Sequence, residues 1–249
     1  MSRIKAILFD LGDTLIDFGP LDTNELFSRG ARLAYRYLQQ LGCKLPPFVR
    51  YHWGQFWAVR WHYFKSRITG REFNALDVLG ATSRRMGCRL SQEQMVELAW
   101  QWYLPLSRRG TVEEGLQDML LAFRRAGLAL GIVSNTFVPG EVLDRHLMQL
   151  DLLEHFPVRV YSCDVRYRKP DPRIFQIALG RLGVTGPDTM FVGDKINADV
   201  AGAQGMEMIS VLKAPSGAKR RRGVLPAHRI TSLRELPDVV ASYGSGEDE

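Results

Sequence analysis

The chain has 249 residues, 45% of them hydrophobic and 24% charged, with a formal net charge of +6. Such values are ordinary for a soluble globular protein, and the length suits one large domain or a domain carrying a smaller insert. No apolar run approaches the roughly 20 residues that cross a bilayer. The run near the N-terminus, Ala6-Ile7-Leu8-Phe9, is too short for a signal-peptide core, so a cytoplasmic protein is expected. Cys43, Cys88 and Cys163 are odd in number and widely spaced, and no CxxC pair suggests zinc. They read as buried or incidental thiols. The positive charge is scattered, apart from Lys219-Arg220-Arg221-Arg222 among Pro215, Ser216, Gly217 and Gly223. That run reads as a solvated loop, so the expected partner is an anionic small molecule rather than nucleic acid.

In chain order, an apolar run at residues 4–9 comes first and stops at Asp10. Further runs lie at 128–133, 158–161, 189–192 and 208–212. Continuous apolar runs of this length suit strands buried on both faces of a parallel sheet. Helical patterns separate the later runs. Residues 112–126 place Leu116, Met119, Leu120 and Phe123 on one face and close at Gly127. The stretches 139–150 and 172–182 each open with proline, which suits a first helical turn, and 197–205 is a short helix of small residues. Strands alternating with helices predict a doubly wound α/β fold, with its ligand site beyond the carboxyl ends of the strands.

Residues 21–103 break the alternation. Helices are expected at 22–41, 47–67, 71–86 and 92–103, the last capped by Ser91. The predicted organisation is an α/β core formed by 1–18 and 104–240, an all-helical cap at 19–103 and an acidic tail at 241–249. The cap stretch "RYHWGQFWAVRWHYFKSR" repeats Trp53, Trp57, Trp61 and Phe64 at helical spacing. A buried helix face is the simpler reading, and an aromatic and basic wall against the substrate is the sharper one.

The polar residues at the strand ends form one set. They are Asp10, then Ser134 and Asn135 in "GIVSNT", Lys169 in "RYRKPDPRIF", and Asp194 and Asp199 in "FVGDKINAD". Packed carboxylates raise one another's pKa unless a cation intervenes, and hard oxygen ligands select Mg2+. A cation, a lysine and a hydroxyl suit a phosphate, which Asp10 could attack to form an aspartyl-phosphate.

The segments "FDLGDTL", "IVSNT", "RKPDPRIF" and "FVGDKINADVAGAQGM" resemble the haloacid dehalogenase-like hydrolase superfamily, in the subgroup with a helical cap after the first strand. The resemblance implies a Rossmann-like core and a phosphatase-type hydrolase of a phosphorylated small molecule, as a monomer or homodimer. It implies Asp10 as nucleophile and metal ligand, the Gly12 carbonyl, Asp194 and Asp199 as further ligands, and Ser134 as a phosphoryl contact. Lys169 would stabilise charge, Asp164 would orient Lys169, and Thr14 would brace the loop. Asn135 and Gly12 join the substrate-binding set.

One position departs from that pattern. Phosphatases of the group usually carry aspartate two places after the nucleophile, as general acid and then base. Here Gly12 holds that place and the acid is Asp13. Three readings follow: a leaving group that needs little protonation, Asp13 as a substitute, or a weakly catalytic phosphate-binding protein. A 2-haloacid dehalogenase is the remaining rival; its chemistry needs no metal, which leaves Asp194 and Asp199 unexplained.

Overall fold

The structure is a computed structural model, and it describes residues 4–215 and 224–243. The basic run at 219–222 and the end of the acidic tail lie outside the described residues. In chain order the elements are β1 (Ala6–Phe9), α1 (Thr23–Gln40), α2 (Phe48–Thr69), α3 (Ala75–Arg85), α4 (Gln92–Ser107), α5 (Leu116–Arg125), β2 (Ala129–Ser134), α6 (Gly140–Gln149), β3 (Val158–Tyr161), α7 (Ser162–Val165), α8 (Pro172–Leu182), β4 (Thr189–Gly193), α9 (Ala201–Gln204), β5 (Ile209–Lys213), β6 (His228–Ile230) and α10 (Leu236–Ala241).

The six strands form one parallel sheet in the order β3-β2-β1-β4-β5-β6. Every residue of β1 is buried, as expected of the central strand of a two-faced sheet. Ile7 and Phe9 join the core on one face, where Phe9 meets the edge of Phe156 at 5.8 Å. Leu8 points the other way, into the cluster of Val133, Phe175 and Phe191. The chain passes from β1 to β2 and β3 on one side, then returns beside β1 with β4. The carboxyl ends of β1 and β4 therefore flank the point where strand order reverses, the usual crevice of such sheets.

Helices α1–α4 occupy the insertion. Asp22 caps α1 by accepting from the Asn24 and Glu25 N–H groups, both at 3.0 Å. Ser91 and Gln94 form a capping box at the start of α4. Helix α4 runs on to Ser107, past the expected end at 103, although Pro105 lies within it. The apolar core continues from Ile7 and Phe9 through Ala34 and Leu38 of α1 to Leu98, Trp100 and Tyr103 of α4. The insertion leaves and rejoins the core at one point. There Asp17 and Thr111 exchange backbone N–H···O bonds of 2.8 and 2.9 Å.

Three expectations need correction. Cys43 and Cys88 are not separate thiols: they pair, with Cα atoms 5.5 Å apart, because the turns after α1 and α3 meet. Cys163 is buried and free. The aromatic row of α2 is not its buried face. Trp53, Trp57, Trp61 and Phe64 are 51%, 63%, 64% and 57% exposed, and Tyr51, Gln55 and Ser66 face inward instead. Apolar residues occupy both faces of α2, so periodicity alone could not tell inner from outer. Strand β6 and helix α10 were not foreseen; a three-residue strand is too short to show a pattern.

His146 on α6 is buried, with its Nδ1 3.0 Å from the Tyr103 hydroxyl. Burial pushes its pKa down to about 4, against a smaller opposing effect of a backbone hydrogen bond at Ser107. The unfolded chain thus binds the proton more readily. The contribution to stability is complete above about pH 6.5 and is lost as pH falls towards about 4. Thermal melts of wild type and His146→Phe across that window should show a shallower pH dependence in the variant. Identical slopes would mean that His146 does not resist protonation in the fold.

Candidate active site

Asp10 follows the last residue of β1, and its N–H donates to the Val192 carbonyl of β4 at 2.9 Å. This extends the ladder by one residue and aims the carboxylate at the crevice. The next residues turn sharply. The Leu15 and Ile16 N–H groups both donate to the Leu11 carbonyl at 3.0 Å, and Asp13 donates its N–H to Ile16 at 2.7 Å. Asp13 adopts the left-handed conformation, φ 60°, which aspartate tolerates better than most residues.

Lys169 is the centre of the site. Its ammonium is buried and donates to Asp10 at 2.8 Å and to the Val133 carbonyl at 2.7 Å. Asp199 Oδ1 lies 2.7 Å from the same nitrogen. The ring of Phe191 lies 5.1 Å beneath it, a cation–π contact. Burial opposes the lysine's charge, but Asp10 and Asp199 outweigh it and hold the pKa above the ordinary value.

Asp194 follows β4, and Asp199 lies in the single π-type turn Ile196–Val200. That turn brings Asp199 back against Gly193, where a Cβ would meet the Asp199 side chain at 2.5 Å. Only glycine leaves that approach open. Asp199 Oδ2 accepts from the Lys195 N–H at 2.8 Å, and both Asp194 oxygens lie 3.0 Å from Lys195 Nζ. Asp10, Asp194 and Asp199 each present an oxygen, all within 4.8 Å of one another. Burial first, then the charge of Asp10, raises Asp194 to about 6, with Lys195 pulling the other way. Burial also raises Asp199, against the pull of Lys169. The donor set is all oxygen and short of positive charge, and it fits a hard divalent cation.

Ser134 ends β2 and is buried beside Lys169 in the same cavity of about 720 Å³. Asn135 borders that cavity, yet its amide is committed to the Lys169 backbone. Its Nδ2 donates to the Lys169 carbonyl at 3.0 Å, and its Oδ1 accepts from the Lys169 N–H at 2.7 Å. Asn135 therefore positions the lysine instead of reaching out to a ligand. Gly12 and Asp13 also line the cavity.

Two supporting roles differ from expectation. Asp164 accepts from Asn74 Nδ2 at 3.3 Å, while Asp10, Val133 and Asn135 hold Lys169. The Thr14 hydroxyl is buried without a partner; what braces the loop is Lys213, which donates to the Thr14 carbonyl at 2.7 Å. Sequence reasoning also missed Glu72 and Arg168. They form a salt bridge in the cavity's lining, with the Glu72 side chain wholly buried and also accepting from Ser162 at 3.2 Å. Arg168 could have been noticed beside Lys169. Glu72 carries no local signal.

The chain is similar to known hydrolases. A family model for haloacid dehalogenase-like hydrolases matches residues 4–206. A phosphoserine phosphatase of Thermus thermophilus is 36% identical over 215 residues, covering 81% of this chain and 85% of the relative. The solved HAD phosphatase of Thermococcus onnurineus is similar over 95% of this chain and 98% of its own, at 25% identity and a TM-score of 0.60. A 2-haloacid dehalogenase of Pseudomonas syringae pv. Tomato DC3000 has a TM-score of 0.67 over 97% of this chain and 100% of its own; at 24% identity it speaks to the fold alone. With the parallel sheet, the inserted helices and the carboxylate–lysine cluster in place, the chain belongs to the haloacid dehalogenase-like hydrolases.

Proposed function

We propose that the protein is a magnesium-dependent phosphatase of a phosphorylated small molecule, with Asp10 as nucleophile. The observation that carries this is the three-carboxylate cluster around Lys169 at the sheet's reversal point. The phosphatase-named relatives support the phosphate monoester class. Asp10, Asp194 and Asp199 would hold Mg2+, with the Gly12 carbonyl as a further oxygen. The ion would supply positive charge to a phosphoryl oxygen. Ser134 donates its hydroxyl to another oxygen, and Lys169 offsets the charge of the third. Asp10 attacks phosphorus, the bond to the leaving oxygen breaks, and water later opens the aspartyl-phosphate to release phosphate.

The leaving oxygen needs a proton, and Gly12 has none to give. Five carboxylates border the cavity: Asp10, Asp13, Glu72, Asp171 and Asp199. Asp10 and Asp199 hold Lys169, Glu72 holds Arg168, and Asp171 holds Arg173. Among the described residues that line the cavity, Asp13 is the carboxylate without a partner. In an extended loop it would point away from Asp10, but at φ 60° that objection falls. Asp13 is thus the proposed proton donor.

Asp10→Asn should abolish turnover, and a chelator should silence the wild type until Mg2+ is returned. Near-wild-type hydrolysis by the variant would end the mechanism.

Asp13→Asn should slow alkyl phosphates by about 10²–10⁴ and spare p-nitrophenyl phosphate, whose phenolate leaves without help. A Cβ at Gly12 meets only Phe18, at 3.6 Å, so Gly12→Asp is accommodated and should rescue the alkyl esters in the Asp13→Asn background. Equal losses on both ester types would argue against Asp13 as acid.

Lys169→Met removes the counter-charge of two buried carboxylates. Urea melts in chelator should show a loss of about 3–5 kcal/mol, smaller when Mg2+ is present. No difference between the two conditions would argue against a cation among these oxygens.

A further inference from the structure

A second cavity, of about 300 Å³, lies beside the carboxylate site. Tyr103, Leu106, Phe137 and Val138 line both cavities, so they share a wall. Phe137 and Val138 follow Ser134 by three and four residues, on the loop that leaves β2. The remaining wall is mostly apolar: Leu26 and Phe27 of α1, Val59 of α2, Leu79 of α3, and Ala99 and Trp102 of α4. No charged side chain lines it. The space is at the lower end of the roughly 300–1,000 Å³ found for small-molecule sites.

Few polar groups break the apolar wall: Thr23, the Trp102 indole N–H and Gln55. Gln55 of α2 is 3% exposed, and its Oε1 has no hydrogen-bond donor. An amide oxygen buried without a donor is unfavourable, and elsewhere in folded proteins such groups are paired. A ligand O–H or N–H would satisfy it. The shape, the mostly apolar lining and the buried, unmet acceptor of Gln55 together describe a compact hydrocarbon group that carries a donor.

We propose that this cavity holds the apolar part of the substrate's leaving alcohol, and that Gln55 accepts a hydrogen bond from it. This rests on the phosphatase reading. The phosphoryl group would lie at Asp10 and Ser134, and the alcohol would extend past the shared wall into the insertion. The preferred substrate is then a phosphate ester of a compact aliphatic or aromatic alcohol, not of a sugar or a second anion.

The test is kcat/KM for a series of n-alkyl phosphates from butyl to octyl. These alcohols differ little in acidity, so the trend reports burial and not leaving-group chemistry. The wild type should gain about three- to fourfold per methylene, the value for moving a methylene out of water. Ala99→Phe, which fills the cavity from α4, should flatten the series. Val59→Phe fills it from α2 and serves if the first variant does not fold. Binding of 1-octanol, followed by calorimetry, reads the cavity without hydrolysis and should be lost in the same variants. A flat wild-type series overturns the inference and leaves the phosphatase reading standing. Saturable octanol binding that Ala99→Phe removes, with no ester hydrolysed, upholds the cavity and strikes only the phosphatase reading. Gln55→Leu should weaken binding of indole relative to naphthalene by about tenfold, since indole alone carries an N–H. An unchanged ratio overturns the role of Gln55.

Discussion

Like charges held together in a buried crevice are the constraint on which the rest of this structure depends. Asp10, Asp194 and Asp199 bring three carboxylate oxygens within 4.8 Å of one another. Left alone, such a cluster would shed its charge by taking up protons. Lys169 opposes that by bonding to Asp10 and lying against Asp199, while Lys195 partners Asp194. Much of the local architecture keeps these groups in place. Asn135 grips the Lys169 backbone with both ends of its amide, and the absence of a Cβ at Gly193 lets Asp199 approach. The order of the strands sets Asp10 and Asp194 side by side, because β1 and β4 are neighbours in the sheet although they lie far apart along the chain.

The inserted helices are part of the same solid. Their apolar residues continue the core of the sheet, through Ala34, Leu38, Leu98 and Tyr103. The paired backbone bonds of Asp17 and Thr111 close the insertion at its base, and the Glu72–Arg168 salt bridge ties it to the loop that carries Lys169. A buried pair of this kind adds little net stability, but separating its members leaves a charge stranded. It therefore favours one seating of the insertion over the site. The cavity beside Tyr103 and Phe137 exists only because that seating is defined.

The loop after β1 shows how far local reasoning reaches. The residues of "FDLGDTL" place Asp10, the proposed nucleophile, at the end of an apolar run and expose the glycine two places on. Side-chain alternation then argues against Asp13, since neighbours in an extended chain diverge. The observed turn removes that premise, because φ at Asp13 is 60°. Thr14 and Asp164 fail for a related reason. The resemblance implied that Thr14 braces the loop and that Asp164 orients Lys169, whereas Lys213 and Asn74, the groups that bond to these two residues, come from distant segments.

The sequence alone determined the alternation of strands and helices, the all-helical insertion and the polar residues at the strand ends. These are local or strictly ordered properties: burial on both faces of a strand, helical period and chain order are written in neighbouring residues. Tertiary structure decided which face of α2 turns outward, that Cys43 meets Cys88, that Glu72 lies in the site and that an apolar cavity adjoins it. Each of these depends on which distant surfaces come into contact, and no periodicity along the chain encodes that choice.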